Sequence, residues 1–144
     1  MIIDDMVKCA KEVNGNETIL AKVALTQCVL ESNWGKSLLA SKYNNYFGIK
    51  GKGTNGSINL KTKESYDGKT LVDAKDYFAV NTSMKDSFLW HKQLMLKDRY
   101  HPVRTATTVE EAFTQLYKCG YATDPNYSKK LLSTYNTSLK KYFK

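Results

Sequence analysis

Residues 19–37, ILAKVALTQCVLESNWGKS, are apolar for most of a helix and then place a carboxylate, Glu31, just before Trp34 and Gly35. So few polar residues interrupt the run up to Leu30 that it predicts a helix, from about Glu17 to Trp34, buried on nearly all sides. Glu31 continues one apolar stripe of this helix and lies near its C-terminal end, where the helix dipole disfavours a negative charge. Burial and the dipole both favour the protonated carboxyl, so we expect a raised pKa for Glu31, as a general acid requires.

Amphipathic helices are predicted on both sides of this central helix. Residues 2–13 carry an apolar face at helical spacing and form a first helix, which the following Asn-Gly-Asn ends. Later in the chain, Ser83 and Thr108 begin two helices with capping-box patterns. Asp124 and Pro125 are predicted to be the N-cap and the first residue of the last helix. Most of the chain is therefore expected to be helical.

Residues 57–80 have a different pattern, which predicts a small β-hairpin lobe. Two segments typical of strands, SINLKTKES and LVDAKDYFAV, flank Asp67-Gly68, a strong signal for a hairpin turn. We expect no other β structure. The predicted fold is mainly α with this small hairpin lobe, and residues 1–144 form a single domain.

Composition narrows the classes of function. The chain has 22 basic and 14 acidic residues and a net charge of +8, which favours an anionic partner such as teichoic acids of the bacterial wall. A solvated basic surface is the alternative, and no motif of nucleic-acid recognition occurs, so no nucleic acid is expected. The three cysteines and two histidines lack metal-ligand spacing, so we expect neither a metal nor a cofactor.

No apolar run is long enough to cross a membrane, and no membrane partner is expected. The N-terminus, MIIDDMVKCAKEV, carries acidic residues early and does not resemble a secretory signal. The expectation is a chain made in the cytoplasm that acts outside it after lysis, in a phage particle or by another route, or else one module of a longer protein.

A protonated carboxyl at a helix end, opposite a hairpin lobe that flanks an active-site groove and carries further acids, resembles a lysozyme-like α+β arrangement. This arrangement suits glycoside hydrolysis. This reaction needs one carboxyl to protonate the leaving oxygen and usually a second group on the other face of the sugar. The hairpin offers Glu64, Asp67, Asp73 and Asp76. Asp67 is explained by the turn, and the other two aspartates read as solvated strand residues, so Glu64 is the preferred second carboxylate.

Three motifs in order, LESNWGKSLLASKYNNYFGIKG, TKE in the hairpin and GYATDPNYSKKL, resemble the bacterial and phage β-N-acetylglucosaminidases of glycoside hydrolase family 73. The resemblance covers nearly the whole chain. It implies a single catalytic domain that cleaves peptidoglycan glycan strands internally, at the β-1,4 bond after N-acetylglucosamine. The short chain, without a separate wall-binding module, fits a phage lysin or a virion-borne module better than a secreted autolysin.

The resemblance also implies roles for individual residues. Glu31 matches the catalytic acid of the family, in agreement with the pKa argument. Tyr121 matches a tyrosine that lines the catalytic centre, and Glu64 matches a hairpin glutamate proposed as the base in some members. Asn45 and Phe47 match the segment that lines the substrate groove.

The sequence departs from the family pattern at two positions, with Asn33 in place of the more usual glycine and Ser65 where a tyrosine commonly follows the hairpin glutamate. We expect Trp34 to pack against the core. Attack by water is guided either by Glu64 or by the acetamido group of the substrate with help from Tyr121. The alternatives to a hydrolase are a lytic transglycosylase, an inactive wall-binding or tail domain, and a basic nucleic-acid binder.

Overall fold

The computed structural model describes the backbone of residues 1–65 and 71–144, and the side chains of these residues outside 62–74. Among the described residues, no helix has the length and hydrophobicity needed to cross a membrane. In chain order the elements are α1 (Ile2–Asn14), α2 (Ile19–Glu31), α3 (Leu38–Tyr43), β1 (Ser57–Ser65), β2 (Leu71–Ala79), α4 (Met84–Met95), α5 (His101–Arg104), α6 (Val109–Lys118) and α7 (Tyr127–Thr134). The predicted fold class, a mainly helical lysozyme-like domain with one small hairpin, is confirmed.

Helix α2 is the centre of the core, as its apolar sequence predicts. It is in contact with α1, α4, α5, α6 and α7. Thr18 caps its first turn by accepting a hydrogen bond from the backbone N–H of Ala21 at 3.0 Å. The helix ends at Glu31, earlier than the predicted end near Trp34. Its buried residues cover every face: Ala21, Val23, Ala24, Leu25, Thr26, Gln27, Cys28 and Val29.

A left-handed turn of residues 33–35 follows α2. Asn33, Trp34 and Gly35 all have positive φ, at 50°, 59° and 79°. Ser32 closes the turn, because its hydroxyl donates to the carbonyl of Cys28 at 2.6 Å and accepts from the N–H of Gly35 at 2.9 Å. Trp34 leaves the core in this conformation and is 37% exposed, so the prediction that it packs inward is wrong.

Replacing Asn33 by glycine is expected to stabilise the protein by about 0.5 kcal/mol. Asn33 has a left-handed conformation that costs most L-residues roughly 1–2 kcal/mol, asparagine less, and glycine nothing, while glycine adds entropy to the unfolded chain. The free energy of unfolding from urea titrations measures the change. Asn33→Ala is the control and should be destabilised by about 1 kcal/mol; an Asn33→Gly variant less stable than wild type would contradict this account of the turn.

The β-hairpin is antiparallel, with Ser57 opposite Ala79 at its base and Ser65 opposite Leu71. Both strands agree with the prediction, whereas the turn predicted at Asp67-Gly68 lies outside the described residues. The loop that leads into the hairpin holds its base, since the N–H of Ala79 donates to the carbonyl of Ile49 at 3.0 Å. This bond joins the base of the hairpin to the loop that follows α3.

Three later helices begin close to the predicted places. The side chains of Ser83 and Thr108 accept from the backbone N–H three residues ahead, as capping boxes predict. The last helix differs, because its N-cap is Asn126 and Asp124 instead accepts from the N–H of Asn126 at 2.9 Å in a turn. The prediction of Asp124 as N-cap is wrong, and the shift makes Tyr127 the first residue of α7.

Candidate active site

A cleft of about 420 Å³ opens at the C-terminal end of α2, between the loop before the hairpin, helix α4 and the loop that follows α6. Glu31 is the one acidic residue among its described lining. Aromatic and basic side chains make up much of the rest, a composition suited to a sugar polymer. The lining residues are Glu31, Phe47, Gly48, Ile49, Lys50, Trp90, Leu94, Arg99, Tyr100, Gly120, Tyr121 and Ala122.

Glu31 lies in the wall of this cleft, where its side chain reaches solvent on one side. The sequence predicted a buried carboxyl, and the difference arises because α2 ends at Glu31 and the stripe there faces the cleft. Protein surrounds the carboxyl on its other sides, and this desolvation raises its pKa, partly offset by a hydrogen bond from Tyr127. The raised pKa favours the protonated form that a general acid needs.

The hydroxyl of Tyr127 donates to Oε1 of Glu31 at 3.0 Å. The same hydroxyl accepts a hydrogen bond from Nε2 of Gln27 at 2.8 Å. Burial raises the pKa of Tyr127 above the usual range, and the nearby charge of Glu31 adds to this effect. Tyr127 therefore stays protonated, and its hydroxyl can donate to Glu31.

Tyr121 stacks on the ring of Tyr127, with centroids 5.9 Å apart and an interplanar angle of 13°. Gly120, at φ 88°, turns the chain so that the N–H of Tyr121 closes α6 on the carbonyl of Leu116 at 3.0 Å. Burial, with the charge of Glu31 next, raises the pKa of Tyr121. Within the described part of the chain no hydrogen bond involves its hydroxyl, which leaves that hydroxyl free to contact a substrate.

The two residues predicted to bind substrate lie in different places. Phe47 lines the cleft and stacks on His91, with ring centroids 4.6 Å apart. Asn45 is buried behind the cleft wall, where it donates to the carbonyls of Ile49 at 2.8 Å and Ala79 at 3.0 Å. Its amide oxygen accepts from the N–H of Ile49 at 2.9 Å. Asn45 thus holds the turn of residues 45–49 against the hairpin base.

Glu64, the predicted second carboxylate, lies on β1 with Val72 opposite. Its side chain, like those of Asp67 and Asp73, lies outside the described residues, so the role of Glu64 stays a prediction. Asp76 pairs with Lys50 at 2.8 Å, and the hydrogen bond from this lysine lowers the pKa of Asp76, in agreement with a solvated strand residue.

Sequence reasoning missed Tyr127, Gln27 and His91, which connect to Glu31 through hydrogen bonds. One signal was available, because a glutamine four residues before a catalytic carboxyl, inside an otherwise apolar helix, requires a buried partner. In the described part of the chain, no three His, Cys, Asp or Glu side chains form a cluster that could hold a metal ion.

Comparison with known proteins places the chain in one family. The sequence profile described as mannosyl-glycoprotein endo-beta-N-acetylglucosaminidase matches residues 7–140. The exo-glucosaminidase LytG of Bacillus subtilis is 36% identical over 140 residues, which cover 91% of this chain and 48% of LytG. A probable N-acetylmuramidase of Lactococcus lactis is 32% identical over 93% of this chain and 33% of its own length.

The crystal structure of the catalytic domain of the autolysin Auto from Listeria monocytogenes superposes with a TM-score of 0.83 and 28% identity. The alignment covers 98% of this chain and 85% of that domain. This chain spans about half, or less, of the length of these two curated relatives. The structural alignment with Auto, in contrast, is with a single catalytic domain of similar size.

Proposed function

The chain belongs to the endo-β-N-acetylglucosaminidase family, glycoside hydrolase family 73, and we propose that it hydrolyses the β-1,4 bond after N-acetylglucosamine within peptidoglycan glycan strands. The family is one of glycoside hydrolases, so the chain is an enzyme of that class. The observation that carries the proposal is the carboxyl of Glu31, which lies in an aromatic cleft, has a raised pKa and is hydrogen-bonded to Tyr127. The relatives include an exo-glucosaminidase and a probable N-acetylmuramidase. Which glycosidic bond this chain cleaves, and that it cleaves within the strand, are therefore our proposal.

In the proposed mechanism Glu31 protonates the glycosidic oxygen while an oxocarbenium-like transition state develops. The proton leaves the carboxyl for the leaving oxygen, and the resulting carboxylate accepts a hydrogen bond from Tyr127. In one route water attacks the anomeric carbon from the face opposite the leaving oxygen, and Glu64 orients this water. In the other the substrate's acetamido oxygen attacks from that face, with Tyr121 polarising the group, and water then opens the resulting ring from the side that the leaving oxygen has vacated.

A turbidity assay on purified cell wall tests whether the chain hydrolyses the wall at all. Clearing of the wall suspension, with release of new reducing ends, is the expected result. A chain that binds the wall and releases nothing would be the inactive wall-binding domain, and the proposed function would be wrong.

Trp90 is expected to bind the glycan strand beside the cleft. Its indole is 38% exposed and, with Leu94, lines both the cleft and an adjoining groove of about 420 Å³. Because stacking on a sugar face contributes to ground-state and transition-state binding alike, Trp90→Ala should raise KM about tenfold with kcat unchanged. Leu89→Ala is the matched control, since Leu89 is exposed on the same helix and lines neither cavity. An unchanged KM for Trp90→Ala would remove the residue from the substrate path.

Glu64→Ala should slow catalysis clearly, but less than loss of the acid. If Glu64 orients water, most of the activity is lost and added azide partly restores it by attacking in place of water. If the acetamido group attacks first, Glu64→Ala acts mainly on KM and azide does nothing. Steady-state rates on solubilised wall, with and without azide, separate the two. Wild-type rate and affinity would exclude Glu64 from the site.

The net charge of +8 supports a further part of the proposal, that anionic wall polymers concentrate the enzyme on its substrate. Binding to walls with and without teichoic acid, measured against salt concentration, tests it. The route to the wall, after lysis or in a phage particle, stays a prediction; detection of the chain in purified phage particles by mass spectrometry would decide for the second.

A further inference from the structure

Glu31 and three side chains behind it form one continuous hydrogen-bonded chain into the core. His91 Nε2 lies 2.6 Å from Oε1 of Gln27, Nε2 of Gln27 lies 2.8 Å from the hydroxyl oxygen of Tyr127, and that oxygen lies 3.0 Å from Oε1 of Glu31. Gln27 and His91 are fully buried, and the ring of Phe47 covers His91. This buried chain does not itself contact the cleft except through Glu31.

Two directions of donation fit the same positions of these atoms. In the first, His91 donates to Gln27, Gln27 to Tyr127 and Tyr127 to Oε1 of Glu31. In the second, the amide of Gln27 is reversed, and a proton on Oε1 of Glu31 is donated to Tyr127, which donates to Gln27, which donates to Nε2 of His91. The second direction places the acidic proton against the core, where it cannot reach a glycosidic oxygen.

The other ring nitrogen of His91 distinguishes the two directions. Nδ1 is buried and has no hydrogen-bond partner among the described residues. In the first direction Nδ1 is an unshared lone pair, and in the second it carries a buried N–H without an acceptor. An orphaned N–H is rarer and more costly than an underused acceptor. Burial also lowers the pKa of His91 to about 3, so the ring is neutral and carries one proton. The unpartnered Nδ1 favours Nε2 as the position of that proton.

We propose that His91 and Gln27 are positioning residues that fix the direction of this hydrogen-bonded chain, so that Tyr127 always donates to Oε1 of Glu31 and the catalytic proton is held on Oε2. This inference rests on the proposed function only where it concerns catalysis. Oε2 is the oxygen that Tyr127 leaves unoccupied.

The other titratable groups around Glu31 do not fix the direction of donation along this hydrogen-bonded chain. Tyr121 and Tyr100 line the cleft as protonated phenols, since burial raises the pKa of both. Lys50 and Arg99 also line the cleft. The Arg99 guanidinium donates to the carbonyls of Cys119 and Gly120, and Lys50 pairs with Asp76.

The protonation of His91 is measurable without any substrate. Long-range ¹H–¹⁵N correlation spectra of the wild-type chain should show a protonated, pyrrole-type Nε2 and a pyridine-type Nδ1 at neutral pH. The chain has two histidines, and His91→Gln identifies the signals of His91 by their loss. A proton on Nδ1 would overturn the proposal. An enzyme that is inactive on wall but has Nε2 protonated would contradict the proposed function and leave the direction of the chain intact.

A pair of variants tests the catalytic consequence. His91→Leu removes the donor, so the Gln27 amide loses its preferred direction; kcat should fall roughly tenfold with little change in KM. In a fraction of the molecules the Glu31 carboxylate then lacks the hydrogen bond from Tyr127, which raises the pKa of Glu31. The basic limb of the plot of kcat against pH should therefore move to higher pH. His91→Gln places an amide N–H near the position of Nε2 and should retain most of the wild-type kcat and pH profile.

A merely structural role for His91 would lower the melting temperature without moving the pH limb. Gln27→Met breaks the same chain and carries the test if His91→Leu does not fold. Adding His91→Leu to Gln27→Met should change kcat no further, since both act through one path. Wild-type kcat and pH profile in folded His91→Leu or Gln27→Met would overturn the proposal.

Discussion

Glu31→Gln is expected to lower the rate of wall hydrolysis by at least about a hundredfold, the loss that removal of a general acid normally causes. The amide cannot deliver a proton to the glycosidic oxygen, although its oxygen can still accept from Tyr127 at the position of Oε1. The fold should therefore persist. Initial rates of reducing-end release from purified wall measure the loss, and retention of more than about a hundredth of the wild-type rate would contradict the assignment of Glu31.

The same variant should also be more stable than wild type at neutral pH. The pKa of Glu31 is raised in the folded protein, so the unfolded chain releases this proton at lower pH than the folded chain does. The resulting penalty to folding is absent below the unfolded pKa of the carboxyl and grows as the pH rises towards the folded value. Thermal melts should show the advantage of Glu31→Gln at pH 7 and none at pH 3. A variant with lower stability at pH 7 would mean that the carboxylate is stabilised by its site.

Tyr121→Phe has the second largest expected effect, a loss of roughly 10- to 100-fold in kcat with little change in stability. Only the hydroxyl is removed, and the ring keeps its stacking on Tyr127. Because no hydrogen bond among the described residues involves this hydroxyl, its loss leaves no buried partner unpaired. Its place in the cleft lets it polarise an acetamido group or a water molecule. Steady-state kinetics on solubilised wall and thermal melts measure both quantities.

Tyr127→Phe is the matched comparison for Tyr121→Phe. It removes the donor to Glu31 and an acceptor for Gln27, so it should lower stability and move the basic limb of kcat against pH upward. Tyr121→Phe should leave that limb in place. If Tyr121→Phe keeps the wild-type kcat but melts at a much lower temperature, Tyr121 is a core residue and not part of the catalytic centre.

Local patterns predicted the parts of the structure that local interactions determine. The apolar run up to Leu30, the first-turn caps at Ser83 and Thr108 and the alternation around residues 57–80 each specify an element through nearby residues. The end of α2 was misplaced because the periodicity of apolar residues does not show the left-handed φ of Asn33 and Trp34 or the Ser32 hydrogen bonds that close this turn.

The candidate site was only half predictable for a related reason. Glu31 and Tyr121 are in motifs, but the hydrogen bond from Tyr127 to Glu31 joins residues 96 positions apart, and His91 and Gln27 are 64 apart. No local pattern encodes such a contact. Asn45 shows the converse, since its motif gave the correct segment whereas its buried hydrogen bonds to the backbone at Ile49 and Ala79 could be seen only in the structure.

The sugar at the new reducing end tests the central claim most directly. Purified peptidoglycan is digested, the soluble fragments are reduced with borohydride, and mass spectrometry identifies the reduced terminal residue. We expect reduced N-acetylglucosamine in internal fragments of several sugars, and none with Glu31→Gln. Reduced N-acetylmuramic acid would show a muramidase, and anhydro-muramic ends would show a lytic transglycosylase; either result would contradict the proposed glucosaminidase.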